Sequence, residues 1–190
     1  MVEVNIPILL GRTLKVRVLR PSEYEAIRSA AKSLDNQTKL DALLLLGARY
    51  VEAQRLQARP GWFAGKFVHL PEEASRKVKR KQVERWVRLN PLGETVLPHF
   101  FPARRLPSWK SWSEDLRRWA ERAGMNPAGL SPKTTRKTWE SWLVSTYPNR
   151  VLDICLSQGH TEAISLKYYV NMPFTDEEKK RMERWTAGWI

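Results

Sequence analysis

Residues able to act together on a phosphodiester occur in series along this chain. Arg49 stands in the run GARYVE with Glu52 three residues on, and a lysine-rich segment follows at 76–81. Lys133-Thr134-Thr135-Arg136, then Gly159-His160, then Tyr169 nine residues beyond that histidine complete the series. One nucleophile accompanied by several cations, with no metal-ligand cluster, suits an enzyme that attacks phosphorus in a polyanion. Arg49 follows the wholly apolar run Leu43–Leu46, and an arginine after a buried run needs an anion or a carboxylate. Glu52 shares its helical face, so an ordinary i,i+3 surface pair is the plainer reading of this segment. Lys133 and Arg136 fall in the first turn of a helix on one face, where the N-terminus already favours anions. His160 follows a helix-stop glycine and Tyr168-Tyr169 close the next short helix. Taken singly, such residues are more often core than catalyst, and their value comes from the series.

The segment from Arg76 to Arg88 holds seven cations (Arg76, Lys77, Lys79, Arg80, Lys81, Arg85 and Arg88) against the single acid Glu84. Such a run can be a solvated loop, but between two strands it can lie along a duplex and release counterions. The whole chain of 190 residues has 33 Lys and Arg against 20 Asp and Glu, a formal net charge of +13. That balance points to a polyanionic partner, nucleic acid before an acidic membrane surface. Nine tryptophans and 42% hydrophobic residues mark a folded domain and not a basic tail. No apolar run reaches the roughly 18 residues that a membrane span needs. A single cysteine forbids an internal disulfide and fits a reducing cytoplasm. Cys155, in the apolar stretch Val151–Leu156, reads as core filler. An RNP-like aromatic sheet motif and a KH-type GxxG loop are both missing from the sequence pattern, which argues against an RNA-binding module.

These residues must be positioned by a mainly helical fold with one small antiparallel β element. Residues 1–20 read as an irregular or short-strand extension, with apolar alternation and no signal-peptide pattern. Pro21-Ser22 opens a helix with Ser22 and Glu25 at capping-box spacing. A second helix is expected from Thr38 to Gln57, capped by Thr38 and Asp41 and carrying Arg49 near its C-terminal end. Segments 62–70 and 84–90 read as an antiparallel pair joined by the basic loop. Helices follow at 93–100, 111–123, 132–146, 149–157, 161–170 and 176–187, with Ser131 as N-cap and Pro132 at N1 of the third. Trp139, Trp142 and Leu143 would anchor that helix to the core. Thr175 and Glu178 form another capping box. Residues 21–174 constitute the main domain and 175–190 a C-terminal helix or tail.

In that order and context the chain resembles the catalytic domain of tyrosine recombinases, the phage-integrase and Xer-like family, over about residues 20–175. The matching residues are Arg49 with Glu52, the 76–81 lysines, Lys133-x-x-Arg136, Gly159-His160 and Tyr169. Lys133 stands where the family usually has histidine, as in archaeal-type members found on viruses or plasmids, and Gln158 replaces the usual leucine before Gly-His. No room remains for an N-terminal DNA-clamping domain, so the chain reads as a catalytic fragment or an unusually short protein.

The resemblance implies a site-specific recombinase, or integrase, that cleaves and rejoins double-stranded DNA through a 3′-phosphotyrosyl intermediate without metal, ATP or other cofactor. It implies Tyr169 as nucleophile, Arg49 and Arg136 on the non-bridging oxygens, and His160 on the phosphate. Lys79 would be the general acid, with Lys77 and Lys81 as rivals. Lys133 would serve as base or as phosphate clamp, and Arg76, Lys77, Arg80 and Lys81 would touch DNA. It further implies a homo-oligomer of up to four protomers on DNA, away from membranes. The segment 175–189, with Met182, Trp185 and Trp189 on one side, either makes protomer contacts, and is then dispensable for folding, or packs on its own core. A non-catalytic DNA-binding module and a type IB topoisomerase-like enzyme are the competing expectations.

Overall fold

A computed structural model describes residues 16–74, 84–159 and 173–190. The described chain is mainly helical, with one three-stranded antiparallel sheet at its side. Helix α1 (Pro21–Ala30) is followed by α2 (Leu34–Leu46) and α3 (Tyr50–Ala58). Strands β1 (Phe63–Ala64), β2 (Phe67–Leu70) and β3 (Arg85–Arg88) come next. Helices α4 (Pro91–Phe100), α5 (Trp109–Arg122), α6 (Thr134–Thr146), α7 (Val151–Gln158) and α8 (Asp176–Thr186) complete it.

The centre is α2. Leu40 and the run Ala42–Leu46 are all buried, so the C-terminal half of this helix is enclosed on every side. It packs against α4 and α6, and α6 contributes Trp139, Trp142 and Leu143, each fully buried. Helix α5 is amphipathic, with Trp112, Leu116 and Trp119 turned inward at helical spacing. Cys155 is buried in α7 as core. The anchoring role expected of the two α6 tryptophans and the core role expected of the cysteine hold.

Several helix starts lie elsewhere than expected. Arg20 is the N-cap of α1, and its N–H donates to Glu23 Oε2 at 2.8 Å, so Glu23 and not Glu25 completes the turn. Ser33, not Thr38, caps α2 by accepting from the Asn36 N–H at 3.2 Å. Ser131 and Pro132 lie in a turn before α6, whose N-cap is Lys133. Thr175 with Glu178 caps α8 as expected.

Two corrections bear on the site. The single helix expected over Thr38–Gln57 is two, because Gly47 takes a left-handed conformation (φ 54°) and stops α2. The expected β pair is a three-stranded sheet, because Gly65 (φ 63°) folds 62–70 into a hairpin of its own. In its second ladder Phe67 faces Arg88, Val68 faces Val87, His69 faces Trp86 and Leu70 faces Arg85. Val68, Leu70 and Val87 are buried, so that phase of the sheet faces the helices.

The C-terminal segment packs on its own chain, the second of the two arrangements expected of it. Met182, Trp185 and Trp189 are buried in this chain's own core. The Trp185 ring meets Tyr24 edge-on at 5.0 Å, and Trp189 Nε1 donates to the Arg88 carbonyl at 3.1 Å. That apolar side is covered within the chain. Loss of 174–190 would remove two indoles and a thioether from the core and uncover the residues they pack on, Tyr24 among them, so the fold should not survive it intact.

Candidate functional site

The site is built where α2 ends and α3 begins. A Cβ at Gly47 would lie 2.5 Å from Gln158 Nε2 and 2.6 Å from the Trp139 ring, so no side chain fits. The tight turn lets Arg136, from α6, reach the last carbonyls of two helices. Its Nη1 donates to the Gly47 carbonyl at 2.8 Å, and its Nη2 to the Gln158 carbonyl at the end of α7. Orphan carbonyls at helix C-termini carry partial negative charge and suit a cation.

Arg49 is the N-cap of α3 and not a residue near a helix C-terminus. That placement explains the Arg49–Glu52 spacing better than a shared helical face does. The Arg49 N–H donates to Glu52 Oε2 at 2.7 Å, and Arg49 Nη1 donates to Glu52 Oε1 at 2.8 Å. Glu52 is therefore both a helix cap and a charge partner, with its side chain only 1% exposed.

A third arginine meets the same carboxylate. Arg85 Nη1 and Nη2 donate to the two Glu52 oxygens at 2.9 and 2.7 Å, a bidentate fork. Its Nε donates to the Ser157 carbonyl at 3.1 Å, tying β3 to the end of α7. A Cβ at Gly159 would lie 2.8 Å from Arg85 Cδ, so this glycine also makes room for an arginine.

The charges shift one another. Burial alone would raise the Glu52 pKa, but the Arg85 hydrogen bonds, then the charges of Arg85, Arg49 and Arg136, hold it at about 2. Burial first, then the charges of Arg49 and Arg85, bring Arg136 down to about 10, with Glu52 and Glu140 acting the other way. Arg136 stays cationic at neutral pH. Three guanidinium groups thus share the field of the ionised Glu52 carboxylate, with the buried Glu140 a second acid that acts on Arg136. The local field is positive, and the Arg49 side chain, 30% exposed, opens it to solvent.

Of the residues singled out from the sequence, Arg49, Glu52 and Arg136 come together. Lys133 is exposed at the α6 N-cap, whereas Arg136, three residues on, is buried. Gly159 ends α7 in a left-handed conformation, the helix stop expected of it. Arg76, Lys77, Lys79, Arg80, Lys81, His160 and Tyr169 lie outside the described residues. Arg85 was read only as one cation in a charged run. Strand alternation could have found it, because Arg85 is in phase with the apolar Val87 and a cation in that phase must point inward.

No family model matches the sequence, and no curated protein matches it. Among solved structures, the chain matches the crystal structure of XerA recombinase with a TM-score of 0.64. The match spans 97% of this chain and 70% of that one, at 16% sequence identity. The fold, mainly helical with a small three-stranded antiparallel sheet, is that of the tyrosine-recombinase catalytic domain.

Proposed function

We propose that this chain is a DNA strand transferase of the tyrosine-recombinase type. The observation that carries the reading is that Arg49, bonded to Glu52, and Arg136, from a distant helix and within the field of the same carboxylate, are brought together with Arg85 in a region of surplus positive charge. A phosphate diester is the anion such a pair fits: two guanidinium groups can hold its non-bridging oxygens and stabilise the charge that grows on them in the transition state.

In the proposed reaction the Tyr169 hydroxyl oxygen bonds to phosphorus as the bond from phosphorus to the 5′ oxygen breaks. The phenol loses its proton, and the departing 5′ oxygen takes one from Lys79. His160 hydrogen-bonds the phosphate. Lys133 serves either as acceptor of the phenolic proton or as a further clamp. A phenol with a reference pKa near 10 needs such surroundings to react at neutral pH. The phosphotyrosyl ester conserves the energy of the broken bond, so a free 5′ hydroxyl reverses the step and reseals a strand without ATP or a metal. Exchange between two duplexes requires several protomers on DNA. The apolar side of α8 is covered within this chain, which favours protomer contacts through other surfaces.

The test is incubation with a nicked suicide substrate followed by denaturing electrophoresis. The wild-type chain should form a covalent protein–DNA adduct, and Tyr169→Phe should lose it while still binding DNA. An adduct that persists in Tyr169→Phe places the nucleophile elsewhere. Salt-sensitive binding with no adduct from the wild type makes the chain a binding module. Relaxation of supercoiled DNA without joining of two DNAs makes it a topoisomerase.

A further inference from the structure

The outward face of the sheet carries a second constellation that the arginine cluster does not use. On β2, Phe67 and His69 point away from the core, and on β3 so do Trp86 and Arg88. The register sets them directly opposite one another, His69 against Trp86 and Phe67 against Arg88. The His69 and Trp86 rings stack at 4.6 Å and 20°, and the Arg88 guanidinium lies 5.7 Å from the Phe67 ring centre. Despite these contacts Trp86 is 54% exposed and Phe67 36% exposed. A half-exposed indole fixed on a strand by a stacked neighbour is a ready surface for another flat ring.

The rim of this face is cationic. A groove of about 290 Å³ runs beside Trp86 and Arg88 to Arg150, Leu156 and Ser157. Lys66 and Arg88 border the adjoining cavity. Arg88 has no carboxylate partner among the described residues. Three acids are nearby: Asp153 is 3.3 Å from Arg150, Glu84 is 3.3 Å from His69, and Glu94 borders the cavity that Lys66 and Arg88 line. None of the three forms an ion pair with Lys66 or Arg88 among the described residues.

We propose that this face binds single-stranded DNA, an unpaired base stacking on Trp86 and its flanking phosphates meeting Arg88 and Arg150. Paired bases are already covered on both faces by their neighbours, so an aromatic platform selects an unpaired one. The cationic rim matches a polyanion. A second copy of this chain is disfavoured as the occupant, because each copy carries a formal net charge of +13. Arg85 and Trp86 are consecutive on β3 and point to opposite sides, so the platform lies one strand-thickness from the arginine cluster. The inference does not depend on the strand-transfer reading, because a Tyr169→Phe chain should bind single strands as well as the wild type does.

The experiment measures binding of a labelled 12-nucleotide oligothymidylate and of a duplex of the same length by fluorescence anisotropy, with the full chain. Trp86→Ala should weaken single-strand binding by about tenfold, the scale of one lost base stack, and change duplex binding by no more than about twofold. Trp86→Phe should restore most of the single-strand affinity, and Arg88→Gln should flatten its salt dependence. Trp86 is largely outside the core, and matching thermal melts establish that the variants are folded. Unchanged single-strand binding by Trp86→Ala overturns the proposal, as does an equal loss on duplex. A Trp86-dependent change in oligomeric state without DNA assigns the face to protein contact, and tighter binding of oligouridylate assigns it to RNA; either result overturns it.

Discussion

Asp41 on α2 and Glu52 on α3 are both buried carboxylates met by arginine, but charge balances at one and not at the other. Asp41 receives Arg28 Nε on both its oxygens, at 2.8 and 2.9 Å, and the Tyr24 hydroxyl at 2.8 Å. Burial, then the nearby Asp41 charge, pushes the Tyr24 phenol well above its ordinary pKa, so it remains a neutral donor. One cation meets one anion, and the three side chains tie α1 to α2. At Glu52 two arginines bind one carboxylate, and a third, Arg136, lies in the same field, held by backbone carbonyls, with Glu140 as a second acid. The first arrangement is complete as it stands. The second keeps a surplus of positive charge that an incoming anion would neutralise, the electrostatic form expected of a phosphate site.

This difference can be broken most sharply with catalysis. Arg136→Ala should reduce formation of the covalent DNA adduct by about 10²–10³-fold, the scale of losing one transition-state donor. Arg28→Ala should leave adduct formation within a few-fold of wild type. Equal losses in the two variants would mean that both clusters are structural and that the distinction fails.

Stability comes next. Arg85→Ala removes the bidentate partner of a carboxylate whose side chain is 1% exposed. Urea unfolding should show a loss of about 3–5 kcal/mol, the cost of leaving a buried charge short of its partner. Arg28 has a more exposed side chain, 34%, and Asp41 keeps the Tyr24 hydroxyl, so Arg28→Ala should cost about 2 kcal/mol. A larger loss for Arg28→Ala would reverse the assignment of which carboxylate depends more on its arginine.

The smallest effect is a pH dependence. The Glu52 pKa is lowered in the folded chain, from 4.5 to about 2. The unfolded chain therefore binds the proton first, and the stability Glu52 contributes is fully present above pH about 4.5 and lost as pH falls toward about 2. Urea midpoints between pH 5 and pH 3 should fall more steeply in wild type than in Glu52→Gln. Identical slopes would show that Glu52 does not carry this linkage.

Much of the architecture was legible because apolar spacing and caps are local. The leucines of α2, the tryptophans of α6 and the Thr175 capping box each declare a helix from neighbouring residues alone. The small β element was legible from period two, although the hairpin at Gly65 was read as one strand. The main local signal passed over was Gly47, which stands between an apolar run and Arg49. Reading through it produced one long helix and put Arg49 at the wrong end. The Ser22, Thr38 and Ser131 caps failed for a related reason. Several polar residues near each helix start could accept a backbone N–H, and packing decides which of them is at the end.

By itself the sequence determined the class of fold, the order of the chemical residues and the sign of the charge, because each depends on residue type and short spacing. Only the tertiary structure decided that Glu52 is shared by two arginines from different elements, that Arg85 points inward while Trp86 points out, and that α8 closes on its own chain. Those outcomes depend on contacts between segments distant in sequence, where packing chooses among partners that local pattern leaves equivalent.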